Sequence, residues 1–299
     1  MSNRVSLSPR DLSLLRLLGW TPATTALLLN ASASIDGGPF LDERRLRERL
    51  LALAEAGIVR VWSTAQAGGG LQNYYKLTPL GYDLAQGVQA PKPGRAFFTE
   101  VSPSLFQHTF DLAEAVVATV RGAHAERIAI MRFICENELT FTVGERQVQP
   151  DGFFRLRASE RLFNLAFEID EGTEPLDSQA VNSLRSKVTV YDAYQEQVLG
   201  QWRAGGKTWE KPRFRVVFLT RSMTRAHHIL SLAADCTRHK TRRLVYAAAH
   251  ATFVTATEPL QAPLFLDHFG GWQSLVDLHP TAAQRKEPVR LARFVESPL

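Results

Sequence analysis

Residues 163–175 read FNLAFEIDEGTEP and decide how the second half of the chain folds. An apolar run carries two carboxylates one residue apart, Glu168 and Asp170, and two further acids follow at Glu171 and Glu174. Because side chains alternate between the faces of a strand, Glu168 and Asp170 share one face and the odd-numbered residues face the core. The segment predicts a strand ending in clustered negative charge, which is either a solvated strand end or a metal site.

The preceding stretch, PDGFFRLRASER, predicts the partner strand of a hairpin. A register in which Arg157 faces Leu162 puts apolar partners on one face and places Asp151 opposite Glu168. A one-residue slip would put Asp151 opposite Ile169 and spoil both faces. The pattern therefore predicts one register for the hairpin.

This register brings Asp151, Glu168 and Asp170 to one side of the sheet. Facing carboxylates repel each other, and a divalent cation with oxygen ligands would offset that cost. We therefore predict that these three acids bind Mg²⁺, with Mn²⁺ as a second candidate. The alternative is that Glu168 and Asp170 are solvated, with Arg155 as their partner.

A helix is predicted after Pro175, with Leu184, Val188 and Tyr191 on its buried stripe. Lys187 lies beside that stripe and could lean back over the end of the strand. The alternative is that its ammonium group reaches solvent.

The first ninety residues predict three helices followed by a β-hairpin. Ser8 and Pro9 mark a helix start, and Gly57 ends the third helix, whose buried stripe is Leu46, Leu50 and Leu53. This order of elements is that of a winged helix-turn-helix domain, whose third helix enters the major groove of DNA.

Basic and polar side chains on the third helix and the hairpin are the predicted contacts to double-stranded DNA. They are Arg44, Arg45, Arg47 and Arg49 on the helix, and Arg60, Gln72 and Lys76 on the hairpin. The alternatives are a solvated helix face, with Glu43 and Glu48 pairing the arginines, or a protein-binding use of the same fold.

Composition divides the chain into domains. Three prolines and two glycines in residues 87–103 predict a linker, so we assign residues 1–90 to the winged helix, 91–103 to the linker and 104–299 to a second domain. The overall net charge is +5, but residues 91–200 carry −5 and residues 201–299 carry +8. Basic flanks around an acidic middle suit a nucleic-acid protein with a cation site.

Other classes of protein fit less well. There is no apolar run of transmembrane length, no signal-peptide pattern, and neither of the two cysteines belongs to a zinc or disulfide framework. A cytoplasmic protein without a membrane partner is expected.

The predicted order from residue 104, αβββαβ, resembles the core of the PD-(D/E)XK nucleases. The resemblance implies Mg²⁺ binding by an acid on each of two strands, matched by Asp151 and Glu168, and a catalytic lysine two residues further on. Asp170 stands at that position instead, which puts catalysis in doubt unless Lys187 substitutes. The implied fold class is α+β or α/β.

A second resemblance covers nearly the whole chain. The winged helix followed by the motifs QHTFDLAEA, PDGFF, FEIDEGTEP, SKVTVYDAY and FRVVFLTRS is similar to the replication-relaxation family. That family has an acid pair, a GTE cluster and a K-x-x-x-Y motif, matched by Glu168 and Asp170, residues 172–174, and Lys187 with Tyr191. It is associated with plasmid replication, relaxation and mobilisation.

Two functions of different classes follow. The first is a Mg²⁺-dependent DNA endonuclease, with Asp151, Glu168, Asp170 and Lys187 as catalytic residues. In this function the basic C-terminal third, including Arg213 and Arg215, would bind phosphates. The second is a non-catalytic DNA-binding regulator or scaffold, which could act as a homodimer or with replication or mobilisation proteins. A repressor with a ligand-sensing domain would need an apolar pocket, of which the sequence gives no sign.

Overall fold

The computed structural model describes residues 5–65, 70–135, 138–176, 183–207, 211–239 and 241–277. These residues form two compact units that divide between Ala125 and Glu126, and we call them the N-terminal and C-terminal units. None of the described helices is long and apolar enough to cross a membrane.

The N-terminal unit contains helices around a three-stranded antiparallel sheet, in the order β1-β3-β2. Its elements are α1 (Pro9–Leu18), β1 (Ala23–Thr24), α2 (Thr25–Ser32), α3 (Glu43–Glu55), β2 (Val59–Ala65), β3 (Leu71–Leu77), α4 (Pro79–Gln86), two short 3-10 turns (Arg95–Phe98 and Pro103–Leu105) and α5 (Phe106–Ala125).

The ends of the predicted helices are set by local hydrogen bonds. Ser8 and Asp11 form a capping box at the start of α1, with Pro9 at the first helical position. Gly57 follows α3 with a φ of 70°, and its N–H donates to the carbonyl of Ala54 while that of Ile58 donates to Leu53. This is a Schellman motif, so the predicted helix end at Gly57 is confirmed.

Helix α5 packs within the N-terminal unit. Tyr74 on β3 makes edge contacts with the rings of Phe106 and Phe110, and its hydroxyl accepts a hydrogen bond from the N–H of Val101. The units therefore divide after α5, later than the linker at residues 91–103 that the prolines and glycines predict. Aromatic packing binds α5 to the sheet.

The C-terminal unit is built on a seven-stranded mixed sheet, in the order β12-β11-β10-β9-β8-β7-β4. Strands β8, β9 and β10 are parallel to one another, and the other neighbours are antiparallel. Its elements are β4 (Ala129–Cys135), β5 (Phe141–Val143), β6 (Arg146–Val148), β7 (Gly152–Ala158), β8 (Arg161–Asp170), α6 (Leu184–Ala204), β9 (Arg215–Thr220), α7 (Met223–Cys236), β10 (Val245–Ala249), α8 (His250–Thr255), β11 (Phe265–Asp267) and β12 (Trp272–Gln273).

The hairpin β7–β8 has the predicted register. Arg157 faces Leu162, and the ladder runs unbroken to Gly152 opposite Phe167. Alternation of apolar side chains was sufficient to predict it, because a slip would turn every side chain to the other face.

Both faces of β8 are buried. Phe167 packs against Phe154 and Phe253 on one face, and Ala166 joins the core that α6 and α7 form on the other. Residues 177–182, part of the predicted helix after Pro175, lie outside the described residues. Glu168 and Asp170 are 2% and 6% exposed, so the alternative that these two acids are solvated is wrong.

Candidate functional site

Glu168 lies on β8 with both carboxylate oxygens bonded to α6. Its side chain is 3% exposed. The ammonium of Lys187 donates to Oε2 at 3.0 Å, and the hydroxyl of Tyr191 donates to Oε1. Lys187 and Tyr191 are four residues apart, so they project from the same face of the helix. The K-x-x-x-Y spacing thus supplies two donors to one carboxylate.

Lys187 also binds the loop that follows β8. Its Nζ donates to Oε1 of Glu174 at 2.8 Å, so one ammonium joins two carboxylates. Burial lowers the pKa of Lys187, but attraction to Glu168 and Glu174 outweighs burial and raises the pKa above its ordinary value. Lys187 therefore stays charged at neutral pH, and the predicted position of its side chain over the strand end is confirmed.

The pKa of Glu168 is raised from its ordinary value to about 7. Burial is the largest cause, attraction to Lys187 opposes it, and repulsion from Asp151 adds to it. A carboxyl group with such a pKa exchanges its proton near neutral pH, which suits general acid–base chemistry.

Asp151 lies just before β7 and continues its pairing with β8. Its backbone N–H donates to the carbonyl of Phe167 at 3.0 Å, and its Oδ2 accepts from the N–H of Ile169 at 2.6 Å. Its charge raises the pKa values of both Glu168 and Tyr191. Asp151 is therefore an electrostatic neighbour of Glu168, as the register predicts.

Asp170 has a different partner from the one predicted. Arg225, in the first turn of α7, donates to both of its oxygens at 2.7 and 3.0 Å. The same guanidinium donates to the carbonyl of Glu174 at 2.7 Å. This bidentate pair neutralises Asp170 with a residue of the chain itself.

The loop after β8 closes the cluster. Gly172 has a φ of 80°, a conformation that side chains disfavour, and it allows the turn that brings Glu174 back to Lys187 and Arg225. Glu171 points elsewhere and lies 3.7 Å from Arg221. The GTE sequence thus brings the carboxylate of Glu174 to Lys187 and its carbonyl to Arg225.

The three predicted metal ligands differ in how well they fit a divalent cation. Carboxylate oxygens are suitable donors for Mg²⁺, and Asp151 and Glu168 are neighbours. Asp170 does not fit, because Arg225 occupies both of its oxygens. Among the described residues, the acids of this cluster do not form a group of three whose ligand atoms all lie within 4.8 Å of one another. The three acids therefore do not form the predicted three-ligand group, and Mg²⁺ binding by Asp151 and Glu168 stays a prediction.

The predicted DNA contacts on α3 are largely exposed. The side chains of Arg44, Arg45 and Arg47 are 86%, 67% and 65% exposed, and they pair with Glu48 or Glu43 on the same helix. On the hairpin, Arg60 is exposed and Gln72 is half-buried. In the C-terminal unit, Arg213 is exposed.

Three other predicted DNA contacts have partners within the protein. Arg49 donates to both oxygens of the buried Asp11 at 2.8 and 2.7 Å. Lys76 is 7% exposed and donates to the carbonyls of Ala96 and Thr99 at 3.1 and 2.6 Å. Arg215 donates to the carbonyls of Ser274 and Leu275. These three residues join segments of the fold, so we no longer assign them to DNA.

Two residues of the cluster had other assignments in the sequence. The sequence predicts Tyr191 only as a buried residue with a motif match, and Arg225 only as one member of the basic C-terminal third, which would bind phosphates. One feature of the sequence could have indicated the position of Arg225. It lies three residues after Ser222, which caps α7 directly after β9, so Arg225 is in the first turn of the helix. Because β8 and β9 are parallel neighbours, the first turn of α7 meets the end of β8.

The fold and the site together define a two-unit α+β protein, with a large mixed sheet and a buried acid–lysine–tyrosine cluster at the carboxyl end of a central strand. The model of the replication-relaxation family matches residues 15–208, more than half of the sequence. The chain belongs to that family.

Other comparisons add little. No curated protein matches the chain. Among solved structures, the restriction endonuclease FokI is similar at 9% identity and a TM-score of 0.27, over 85% of this chain and 45% of that chain. The chain thus spans less than half the length of FokI, and a likeness this low carries no argument about fold or function.

Proposed function

We propose that this protein binds double-stranded DNA in the replication, relaxation or mobilisation of a plasmid or mobile element, and that it nicks or cleaves DNA with Mg²⁺. The observation that carries the proposal is the cluster on Glu168. A buried carboxyl group with a pKa of about 7 lies beside a second acid and a charged lysine. Such a combination is typical of catalytic sites.

DNA binding is assigned to the N-terminal unit as a winged helix. The order of its helices and its antiparallel hairpin supports this assignment. The ion pairs of Arg44 and Arg47 are exposed, and such pairs contribute little to stability. DNA phosphates can therefore compete for these arginines at small cost.

Cleavage is assigned to the C-terminal unit. Asp151 and Glu168 would hold Mg²⁺, which when bound would activate water and stabilise negative charge on a phosphodiester. Lys187 would favour the ionised form of Glu168, and its ammonium would place a positive charge close to the scissile phosphate. Arg225 would keep Asp170 neutralised and fix the end of β8.

A second candidate is a non-catalytic DNA-binding accessory protein with a degenerate nuclease-like unit. The observation that favours it is that the carboxylate oxygens of both acids already accept hydrogen bonds from other side chains. Lys187 and Tyr191 occupy both oxygens of Glu168, and Arg225 occupies both oxygens of Asp170. A metal ion on Glu168 would have to share these oxygens with Lys187 and Tyr191 or displace one of the two donors.

Nicking of supercoiled plasmid distinguishes the two candidates. Wild type is incubated with Mg²⁺ or Mn²⁺ beside Asp151→Asn and Glu168→Gln, and duplex binding is measured for each protein. Glu145→Gln is the matched control, because Glu145 is exposed in a turn. Nicking that only the Asp151 and Glu168 variants lose supports the enzyme. Duplex binding without nicking by any form rejects the enzyme in favour of the accessory protein.

A further inference from the structure

A basic pocket lies in the C-terminal unit at the amino-terminal ends of β8, β9 and β10. Its volume is about 380 Å³, and the last turns of α6 form part of its wall. Phe163, which lines it, precedes Glu168 by five residues on β8, or about 16 Å at roughly 3.3 Å per residue. The pocket is therefore separate from the acidic cluster.

The pocket has a large excess of positive charge. Among the residues that the structure describes, seven lysine and arginine side chains line it, against one carboxylate, that of Glu196. Two further carboxylates belong to Asp192 and Asp267, which pair with Arg242 and Arg243. With these three acids counted, the group has a net charge of +4.

Some of these cations support the pocket wall. Arg242 pairs with both Asp192 and Glu196 of α6. Arg215 lies against the rings of Phe163 and Tyr246. These two arginines are held by neighbours within the unit, and they make the wall of the pocket positively charged.

Three other cations lie at the rim, where the ammonium of Lys211 is 5.3 Å from the centre of the Trp202 ring. Arg203, Lys211 and Arg213 are exposed, and within the described part of the chain none of them forms an ion pair with a carboxylate. The pKa of Lys211 is lowered, first by burial and then by the charges of Arg213, Arg203 and Lys207. The rim therefore holds like charges close together, and a bound anion would relieve their repulsion.

We propose that this pocket binds a phosphate-bearing anion of mononucleotide size, either a phosphomonoester or a short polyphosphate. Its volume lies in the range of small-ligand sites, and guanidinium groups match phosphate oxygens in geometry and charge. Phe163 and Tyr246 are 5% and 2% exposed and covered by Arg215, and Phe214 is 7% exposed, so none of these three lining rings offers an open face to a base. The imidazole of His239, which also lines the pocket, is exposed. Recognition is therefore mainly of the phosphate, with weak dependence on the base. The inference stands without the proposed DNA cleavage.

The phosphate could belong to a free nucleotide or polyphosphate, or to the phosphorylated end of a DNA strand. Isothermal titration calorimetry of the full chain tests the pocket with pyrophosphate, deoxyadenosine monophosphate, deoxycytidine monophosphate and deoxyadenosine. A short single-stranded oligonucleotide with and without a 5′-phosphate forms the second arm. Binding of both mononucleotides with similar affinity, and none of deoxyadenosine, is expected.

Matched variants locate the site. Arg213→Ala and Arg203→Ala should each weaken pyrophosphate binding about ten- to a hundredfold, the effect of a lost charge-assisted hydrogen bond. Arg146→Ala, which removes an exposed arginine of the same unit outside the pocket, should leave the affinity unchanged. Glu168→Gln should also leave it unchanged, which separates this site from the proposed catalytic one.

The outcomes are decisive in both directions. A preference for the 5′-phosphorylated oligonucleotide over mononucleotides assigns the pocket to DNA ends, and the reverse preference assigns it to free nucleotides. Absence of pyrophosphate binding, or equal losses in Arg213→Ala and Arg146→Ala, overturns the proposal. Thermal unfolding of each variant confirms that the affinity changes come from folded protein.

Discussion

The ammonium nitrogen of Lys187 lies 3.0 Å from Oε2 of Glu168, whose side chain is only 3% exposed. A buried ion pair adds little net stability, because desolvation opposes attraction. Loss of one partner is costly, since it leaves the other charge buried and alone. The pair therefore fixes the end of β8 against α6, and it makes the site sensitive to any change in either charge.

Lys187→Met should destabilise the protein more at high pH than at low pH. The variant removes the attraction that lowers the pKa of Glu168, so Glu168 must be protonated or buried as an unpaired anion. We expect a loss of about 3–5 kcal/mol in the free energy of unfolding near pH 8, and a smaller loss near pH 5. Urea unfolding measures both values. The double variant Glu168→Gln/Lys187→Met should recover much of the loss, and an additive double variant would contradict the coupling.

The raised pKa of Glu168 predicts that the wild type loses stability as the pH rises from about 4.5 to about 7. In this window the folded state holds a proton that the unfolded state has released, because the pKa rises from 4.5 in the unfolded chain to about 7 on folding. The contribution is fully present below the unfolded pKa and lost above the folded one. It amounts to at most ~3 kcal/mol.

The measurement is the free energy of unfolding as a function of pH. Glu168→Gln should remove this part of the pH dependence, whereas Glu145→Gln at an exposed turn should keep the wild-type curve. Identical curves for wild type and Glu168→Gln would show that Glu168 does not titrate in this window.

Local periodicity was enough to predict part of the site. The alternation of side chains around Phe167 gave the hairpin register, and helical spacing placed Lys187 beside Tyr191 on one face. The partner of Asp170 could not be predicted in this way. Arg225 is 55 residues further along the chain, and the contact depends on the parallel pairing of β8 with β9, which no local pattern encodes.

The sequence pattern around Arg49 indicates that this arginine is partly buried, although its charge alone suggests a DNA contact. Arg49 follows Leu46 by three residues and precedes Leu53 by four, so it lies at the edge of the buried stripe of α3. From that edge it reaches Asp11, whereas Arg44 on the opposite face remains exposed. For Lys76 the sequence gives no such signal, because its carbonyl partners lie in the segment 91–103, which composition predicts to be a linker and which belongs to the N-terminal unit.

Arg225 and Asp170 should behave as a coupled pair. Arg225→Gln leaves the carboxylate of Asp170 buried without its counter-charge, and we expect a loss of about 3–5 kcal/mol in the free energy of unfolding. Asp170→Asn/Arg225→Gln should lose clearly less than the sum of the two single variants. Urea unfolding of all four proteins gives the coupling energy. A coupling energy near zero would show that the bidentate contact contributes nothing in solution.

Arg49→Ala should destabilise the N-terminal unit by about 3 kcal/mol, because it leaves Asp11 buried without its bidentate partner. Burial alone would raise the pKa of Asp11, but hydrogen bonds from Arg49 and Ser8 lower it overall. This contribution is therefore present above pH ~4 and lost as the pH falls through the lowered pKa. Thermal unfolding at neutral and acidic pH measures it. Arg44→Ala, the exposed control, should change stability by less than about 0.5 kcal/mol.

The proposed DNA interface predicts different salt dependences for exposed and internally bonded basic residues. Affinity falls as salt concentration rises, because each phosphate contact releases counterions. Arg44→Ala and Arg47→Ala should therefore each reduce the magnitude of the slope of log affinity against log salt concentration by about 1. Lys76→Met should leave the slope unchanged, because its ammonium is bound to two carbonyl oxygens and is removed from solvent. Fluorescence anisotropy with a labelled duplex over a salt series measures each slope. If Lys76→Met reduces the magnitude of the slope and Arg44→Ala does not, the recognition surface lies on the hairpin side of the unit and the assignment to α3 is wrong.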